Sequence, residues 1–159
     1  MEFCRIGRVH SAHTSQQGTP IQPVFGGHAD RARLEIDPPF RKALADLSGF
    51  ERIWILTWLD RAPPFRPRVI PYRDSVERGL FATRAPCRPS PIGLSCVELL
   101  AVDEESGLLE LGATDLLDGT PVLDIKPYVP GVDAFPDARA GWFGASSEEG
   151  RRADGRFDQ

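Results

Sequence analysis

Lysine is nearly missing. Of the 19 basic residues in this 159-residue chain, only Lys42 and Lys126 are lysine, and the other 17 are arginine. Its cationic surface is therefore built from planar guanidinium forks, which suit phosphate and stack on bases, rather than from point-like ammonium groups. Arginine-favouring codons in a GC-rich genome explain the total equally well, but not where the arginines fall. Long apolar runs are also lacking: none approaches the roughly 18 residues needed to span a bilayer. The start, M-E-F-C-R-I-G-R-V, lacks the basic-then-apolar order of a secretion signal, so a cytoplasmic protein is expected. Cysteine occurs three times, an odd count with no pair at metal-ligand spacing, which argues against a disulfide framework. Cys4 and Cys96 lie in strand-like runs and read as small buried residues, whereas Cys87 lies in a loop and reads as accessible. The three histidines, His10, His13 and His28, fit no zinc pattern, and no metal is expected. No G-x-G-x-x-G, no P-loop and no regular βαβ alternation appears, which excludes the usual doubly wound nucleotide domain.

What is present is unevenly placed. The net charge is −4, which alone argues against a nucleic-acid binder. Yet Arg52 to Arg88 holds eight arginines against Asp60, Asp74 and Glu77, a segment of +5 that leaves −9 for the rest of the chain. A length of 159 residues suits one hydrophobic core.

Short strand-like runs recur between turn signals. They are Cys4 to His10, 31–36, 52–59, 68–73 as an edge strand, 79–83, 92–103, 108–113 and 122–128. The run R-I-W-I-L-T-W-L at 52–59 reads as a strand buried on both faces. E-E-S-G at 104–107 reads as the hairpin turn between two strands. Asp37 before two prolines opens the one convincing helix, with Phe40, Leu44 and Leu47 on one face and Gly49 as its C-cap. The expected fold is mainly β, a compact antiparallel barrel or sandwich with one short helix. Residues 1–143 form the expected domain, and 144–159 a polar, loosely held tail.

Two stretches carry candidate chemistry. T-R-A-P-C-R-P-S-P-I-G-L-S (83–95) holds three prolines in six positions. Proline fixes its own φ and restricts the residue before it, so Arg84 and Arg88 are held rather than mobile. Such a loop loses little entropy when a ligand arrives. A rigid surface loop whose arginines merely pair with carboxylates is the equal alternative. Gly93 allows close backbone approach where the next strand begins. T-D-L-L-D-G-T-P-V-L-D-I-K-P-Y (114–128) holds Asp115, Asp118 and Asp124 around an Asp-Gly turn signal, without the pattern of a calcium loop. Lys126 shares a face with Asp124, and the two read as an ion pair.

These two stretches, preceded by I-G-R-V-H-S and G-F-E-R-I-W-I-L in the same order, closely resemble the TsaA-like family, also called tRNA methyltransferase O. The resemblance covers about Ile6 to Trp142. It implies a compact antiparallel β-barrel that binds S-adenosyl-L-methionine, forms a homodimer, and methylates N6 of threonylcarbamoyladenosine, at position 37 beside the tRNA anticodon. On the matching positions it implies cofactor contacts from Pro20, Ile21 and Gln22 in the first loop, from Asp60 and Arg61 after the aromatic strand, from Arg84 and Leu94, and from Gly112, Ala113, Thr114 and Asp115. Arg66, Arg68, Arg73 and Arg88 are the candidate contacts to the anticodon loop. Asp60 and Asp118 are candidate proton acceptors. The chain departs from the family pattern in three places. Ser90 stands in Arg-Pro-Asn-Pro, Ala12 stands in the first-loop Ser-Pro, and Asp60-Arg61 stands where many members carry His-Gln. A donor-binding module without catalysis, or the same chemistry on another acceptor, are the alternatives.

Overall fold

The computed structural model describes residues 2–145 and 151–157. Alternation of residue type sets its architecture. In chain order the strands are β1 (Gly7–His10), β2 (Arg31–Ile36), β3 (Arg52–Trp58), β4 (Arg68–Val69), β5 (Arg78–Gly79), β6 (Ile92–Asp103), β7 (Leu108–Ala113) and β8 (Pro121–Pro127). Six of them close into a barrel in the order β1-β2-β7-β6-β3-β8, every pair antiparallel, while β4 and β5 pair with each other as a small separate arm. Closure back from β8 to β1 rests on a short seam, Gly7 opposite Val122 and Arg8 opposite Pro121.

A strand's period of two sends alternate side chains inward. From β3 these are Ile53, Ile55 and Thr57, and the two isoleucines meet Val9, Leu34, Ile36, Val97, Leu109, Leu111 and Val122 in one core. The run at 52–59 is thus a strand, but it is fully buried on one face only. The other face is covered by aromatic contacts, Phe3 on Trp58 at 5.3 Å between ring centres and Tyr128 on Trp54 at 5.7 Å. β6 serves two neighbours, β3 along Ile92–Glu98 and β7 along Leu99–Asp103, with a register shift between Leu99 and Ala101 where the strand turns from one partner to the other. The 104–107 turn closes the β6–β7 hairpin as expected. Asp103 accepts from the Glu105 and Ser106 amides, and Gly107 takes φ of 77° against the Ile36 carbonyl, where a Cβ would not fit.

Other expectations shift. The helix after Asp37 is a 3-10 helix, Pro38–Leu44, and a second one spans Leu47–Gly49. Asp46, with φ of 65°, separates them, so no α-helical turn propagates through the segment. Among the described residues the α-helix is a single turn, α1 (Pro130–Asp133). The expected strand at 79–83 gives only Gly79 to β5 and then winds into a 3-10 turn, Leu80–Ala82. The edge strand at 68–73 is cut to β4, because the chain turns between Pro71, whose carbonyl accepts the Asp74 amide, and Arg73, with φ of 67°. Cys4 is exposed and Cys96 is half-buried, while Cys87 is fully buried. Lys126 and Asp124 do pair, at 2.9 Å on the surface. Among the described residues no helix is long and apolar enough to cross a membrane.

A second, smaller cluster decides the geometry of the loops. Val69, Leu80, Ala85, Cys87 and Phe157 pack together, with Tyr72 against them. The proline-rich loop is therefore not an appendage, since Ala85 and Cys87 point into an apolar centre of their own. The tail read as loosely held contributes to it. Ala153 and Phe157 are buried, so residues 151–157 pack back onto the protein, while 146–150 and 158–159 lie outside the described residues.

Candidate functional site

Strand direction brings the signature residues to one mouth of the barrel. β7, β6, β3 and β8 are successive neighbours and antiparallel, so β7 and β3 end where β6 and β8 begin. A cleft of about 1000 Å³ opens there. Its floor comes from Leu59 to Ala62 after β3, Ile92 to Ser95 at the start of β6, Asp115 to Leu117 after β7, and Thr120 before β8. Its walls come from the first long loop, the proline-rich loop, and the C-terminal residues Ala140 to Phe143, Ala153 and Phe157.

The two arginines of the proline-rich loop have different positions. Arg88 turns inward. Its Nη1 donates to the Thr83 and Ala85 carbonyls at 3.0 and 3.3 Å, and its guanidinium lies over the Phe81 ring at 5.6 Å. It staples its own loop, and it also holds Phe81, which is 78% exposed on the cleft rim. Arg84 stays exposed and donates to Oε1 of Gln22 across the cleft. Two residues 62 positions apart in sequence, each singled out by the family resemblance, thus meet as a pair. Gly93 sits beside Thr57 so closely that a Cβ would overlap the threonine hydroxyl, and this lets Ile92 and Leu94 form the cleft floor.

Asp115 is the electrostatically distinctive group. Burial pushes its carboxyl up from 3.8 to about 6, against a 2.6 Å hydrogen bond donated by Ser95 Oγ, its own backbone amide and the Arg84 charge. A carboxylate in this state gains from any cation placed beside it. At the rim, the exposed Asp60 carboxylate lies 3.5 Å from Nε of Arg61. Arg61 in turn donates from Nη2 to the Asp118 carbonyl at 2.6 Å, tying the end of β3 to the Asp118-Gly119 turn.

Of the candidate cofactor contacts, Pro20, Ile21, Gln22, Asp60, Arg61, Arg84, Leu94 and Asp115 line this cleft, and Arg88 joins them. Gly112 and Ala113 line a second depression of about 290 Å³ with Gly26, Arg31 and Arg52. Thr114 is buried, its amide donating to the Asp30 carbonyl. Of the four residues from Gly112, only Asp115 reaches the mouth, because the chain must leave the strand before a side chain can turn over its end. Asp118 does not line the cleft; its Oδ1 accepts the Ser11 amide at 3.1 Å and lies 3.9 Å from Nδ1 of His10. Arg66 and Arg68 are exposed on or beside the β4–β5 arm, Arg68 held by Glu77 at 2.7 Å. Arg73 packs over the rings of Phe25 and Phe143. Among the described residues no cluster of three or more histidine, cysteine or acidic side chains is arranged to hold a metal.

The sequence reading missed part of the wall. Trp142 donates its indole N–H to the Ala82 carbonyl at 2.7 Å. Asp30, 3% exposed, receives a two-pronged contact from Arg152 at 2.7 and 2.8 Å, which holds its carboxyl below the usual range. Nε2 of His13 lies 3.4 Å from the same carboxylate. Nothing in the polar composition of the tail signalled these contacts, since two apolar residues among many charges do not make a pattern.

Known proteins are similar to this chain in sequence and fold. A family model for the tRNA-methyltransferase O N-terminal domain matches residues 8–134. A probable S-adenosyl-L-methionine-binding protein of Pyrococcus abyssi is 39% identical over 154 residues, covering 96% of this chain and 82% of the relative. The tRNA (adenine(37)-N6)-methyltransferase of Escherichia coli is 39% identical over 149 residues, covering 89% of this chain but 63% of the relative. A crystal structure of TrmO from Pseudomonas aeruginosa superposes with a TM-score of 0.73 at 40% identity, covering 89% of this chain and 62% of that one. The chain therefore spans under two thirds of the length of several relatives that it matches.

Proposed function

The chain belongs to the tRNA-methyltransferase O family, and from that premise we propose that it is an S-adenosyl-L-methionine-dependent tRNA methyltransferase whose donor sits in the barrel-mouth cleft. The observation that carries this reading is convergence: the first loop, the end of β3, the proline-rich loop and Asp115 meet around one cavity. The residues fit the donor's chemistry. Leu59, Ile92 and Leu94 offer apolar surface to a purine, Arg84 with Gln22 offers hydrogen-bonding groups to a carboxylate, and Asp115 offers negative charge to a cation. When bound, the donor supplies an electrophilic methyl group on a sulfonium. The protein's own part is orientation, which contributes on the order of 7–11 kcal/mol in favourable cases.

The acceptor we assign is N6 of threonylcarbamoyladenosine at position 37, beside the anticodon. That nitrogen is a poor nucleophile and must lose a proton. Asp60, which lines the cleft rim, is our candidate for taking it, ahead of Asp118, which accepts from the Ser11 amide. The same reading includes a homodimer in the cytoplasm. Incubation with methyl-labelled donor and bulk tRNA tests the activity: label in adenosine 37 of threonylcarbamoylated tRNA is expected. Label confined to unmodified tRNA would overturn the acceptor, and donor binding without any labelled RNA would favour a binding module.

Of the candidate contacts Arg66, Arg68, Arg73 and Arg88, we assign the anticodon loop first to the exposed Arg66 and Arg68 on or beside the β4–β5 arm, since Arg88 staples its own loop and Arg73 packs over two rings. The logarithm of the affinity for an anticodon stem-loop should fall linearly with log salt between roughly 50 and 200 mM, each phosphate contact on a single strand adding about −0.7 to the slope. Arg66→Ala should flatten the slope by about that amount, and an unchanged slope would remove Arg66 from the RNA surface.

A further inference from the structure

Residues 151–157 lie beyond the family match, which stops at 134, yet they hold both loops that wall the cleft. On the first loop they add a short antiparallel pairing. The Ile21 amide donates to the Arg151 carbonyl at 3.0 Å, the Ala153 amide to Thr19 at 2.8 Å, and the Gly18 amide to Ala153 at 2.9 Å, with Pro20 opposite Arg152. This braces the Pro20–Gln22 element. Arg152 locks the pairing by donating to the Gly18 carbonyl at 3.0 Å and, through both terminal nitrogens, to the buried Asp30 carboxylate. On the other side Phe157 fills the small core beneath the proline-rich loop, edge-on to Tyr72 at 5.1 Å, and Arg156 donates to the Pro71 carbonyl at 2.6 Å. One segment thus spans the two walls that Arg84 and Gln22 join from within.

We propose that residues 151–157 are a clasp that holds the donor cleft in its binding-competent shape, with Arg152 as the positioning residue, so that clasp docking and donor binding are coupled. This rests on the reading of the cleft as the S-adenosyl-L-methionine site. Its physical basis is the cost of release. An undocked clasp leaves the Asp30 carboxylate buried without its counter-charge and frees the Ile21 amide from its partner. The loop that carries Pro20, Ile21 and Gln22 is then no longer fixed. If the competent shape falls to a tenth of the population, apparent donor affinity falls about tenfold.

Two measurements on the full chain test it. In the first, Arg152→Ala raises the donor Kd and KM by about tenfold or more while kcat at saturating donor stays near the wild-type value, and Arg152→Lys restores part of the affinity. Wild-type affinity in a folded Arg152→Ala protein would overturn the proposal. The second uses the wild-type protein and so survives a variant that fails to fold. Donor at about 100 times its Kd should slow hydrogen exchange of the Ile21 and Ala153 amides by about 100-fold, because it binds the docked state alone. Calorimetric donor binding with unchanged exchange at those amides overturns the clasp. No calorimetric binding by the folded wild-type protein overturns the donor-site reading itself.

Discussion

Asp115→Asn loses donor binding and, above pH 6, gains thermal stability. Both effects come from the same burial. The carboxyl titrates near 6 in the folded protein against 3.8 as its ordinary value. A group with a raised folded pKa contributes stability that is full below about pH 4 and is lost as pH rises through about 6. The shift corresponds to on the order of 3 kcal/mol, since one unit is about 1.4 kcal/mol. Asparagine keeps the shape and can still accept from Ser95 but never ionises, so the variant escapes this loss. The difference in unfolding free energy between the two proteins should be near zero at about pH 4 and grow to a plateau by about pH 7. Taking the difference matters, because Asp30, Asp74, Asp103 and Asp154, with lowered values, have the opposite dependence in both proteins.

Donor affinity should move the other way. Removing one partner of a largely desolvated charge pair costs about 2–5 kcal/mol, on the order of 30-fold to more than 1000-fold in Kd. In the wild-type protein, affinity should also weaken as pH falls through about 6, where the carboxylate takes up its proton, and Asp115→Asn should abolish that dependence. Calorimetry across about pH 5 to 8 reads both. Wild-type affinity in the variant would remove Asp115 from the donor site.

Arg84→Ala abolishes methylation and leaves the fold in place. The residue is exposed and belongs to neither hydrophobic cluster, so thermal unfolding should shift little. Its guanidinium is the one that bridges the proline-rich loop to Gln22. Losing a charge-assisted contact to a donor carboxylate costs about 2–5 kcal/mol. That alone takes turnover at limiting donor below about 3% of wild type. Arg84→Lys should recover little, because a single ammonium cannot reproduce a planar fork that holds Gln22 and still presents further N–H groups to a donor carboxylate. Turnover at the wild-type rate in Arg84→Ala would exclude it from the site. Arg88→Ala is the contrasting case: it removes a loop staple, so its effect should appear in stability as well as activity.

Strand identity was legible because β3, β6 and β7 are short runs rich in isoleucine, valine and leucine bounded by turn residues, a pattern visible without any partner. Barrel closure was legible only as a class, because pairing between β3 and β8, some 70 positions apart, leaves no local trace. The segment after Asp37 misled because the apolar spacing of Phe40, Leu44 and Leu47 satisfies a helical face, while the left-handed Asp46 that interrupts it has no signal in composition. Cys87 was misplaced for a related reason: a loop was taken for surface, but this loop has its own core. Eight of the eleven candidate cofactor positions line one cleft: Asp60, Arg61, Leu94 and Asp115 lie at or near strand ends, which turn residues reveal, while Pro20, Ile21, Gln22 and Arg84 are brought there by two long loops. Gly112 to Thr114 fall elsewhere because they precede the point where the chain turns over the end of β7, which a motif match ignores.

The closing seam between β1 and β8 sets how this molecule comes apart. Its ladder is two register pairs long, extended by backbone bonds from Ile6 to Val122, Val9 to Thr120 and Gly119 to Val9, and one of its residues, Pro121, has no N–H to give. Every other join in the barrel is longer. Heating should therefore unzip the cylinder lengthwise at that line before the remaining ladders yield. The two flanks so bared are unpaired templates for a neighbouring molecule, making this the first place from which irreversible clumping would start.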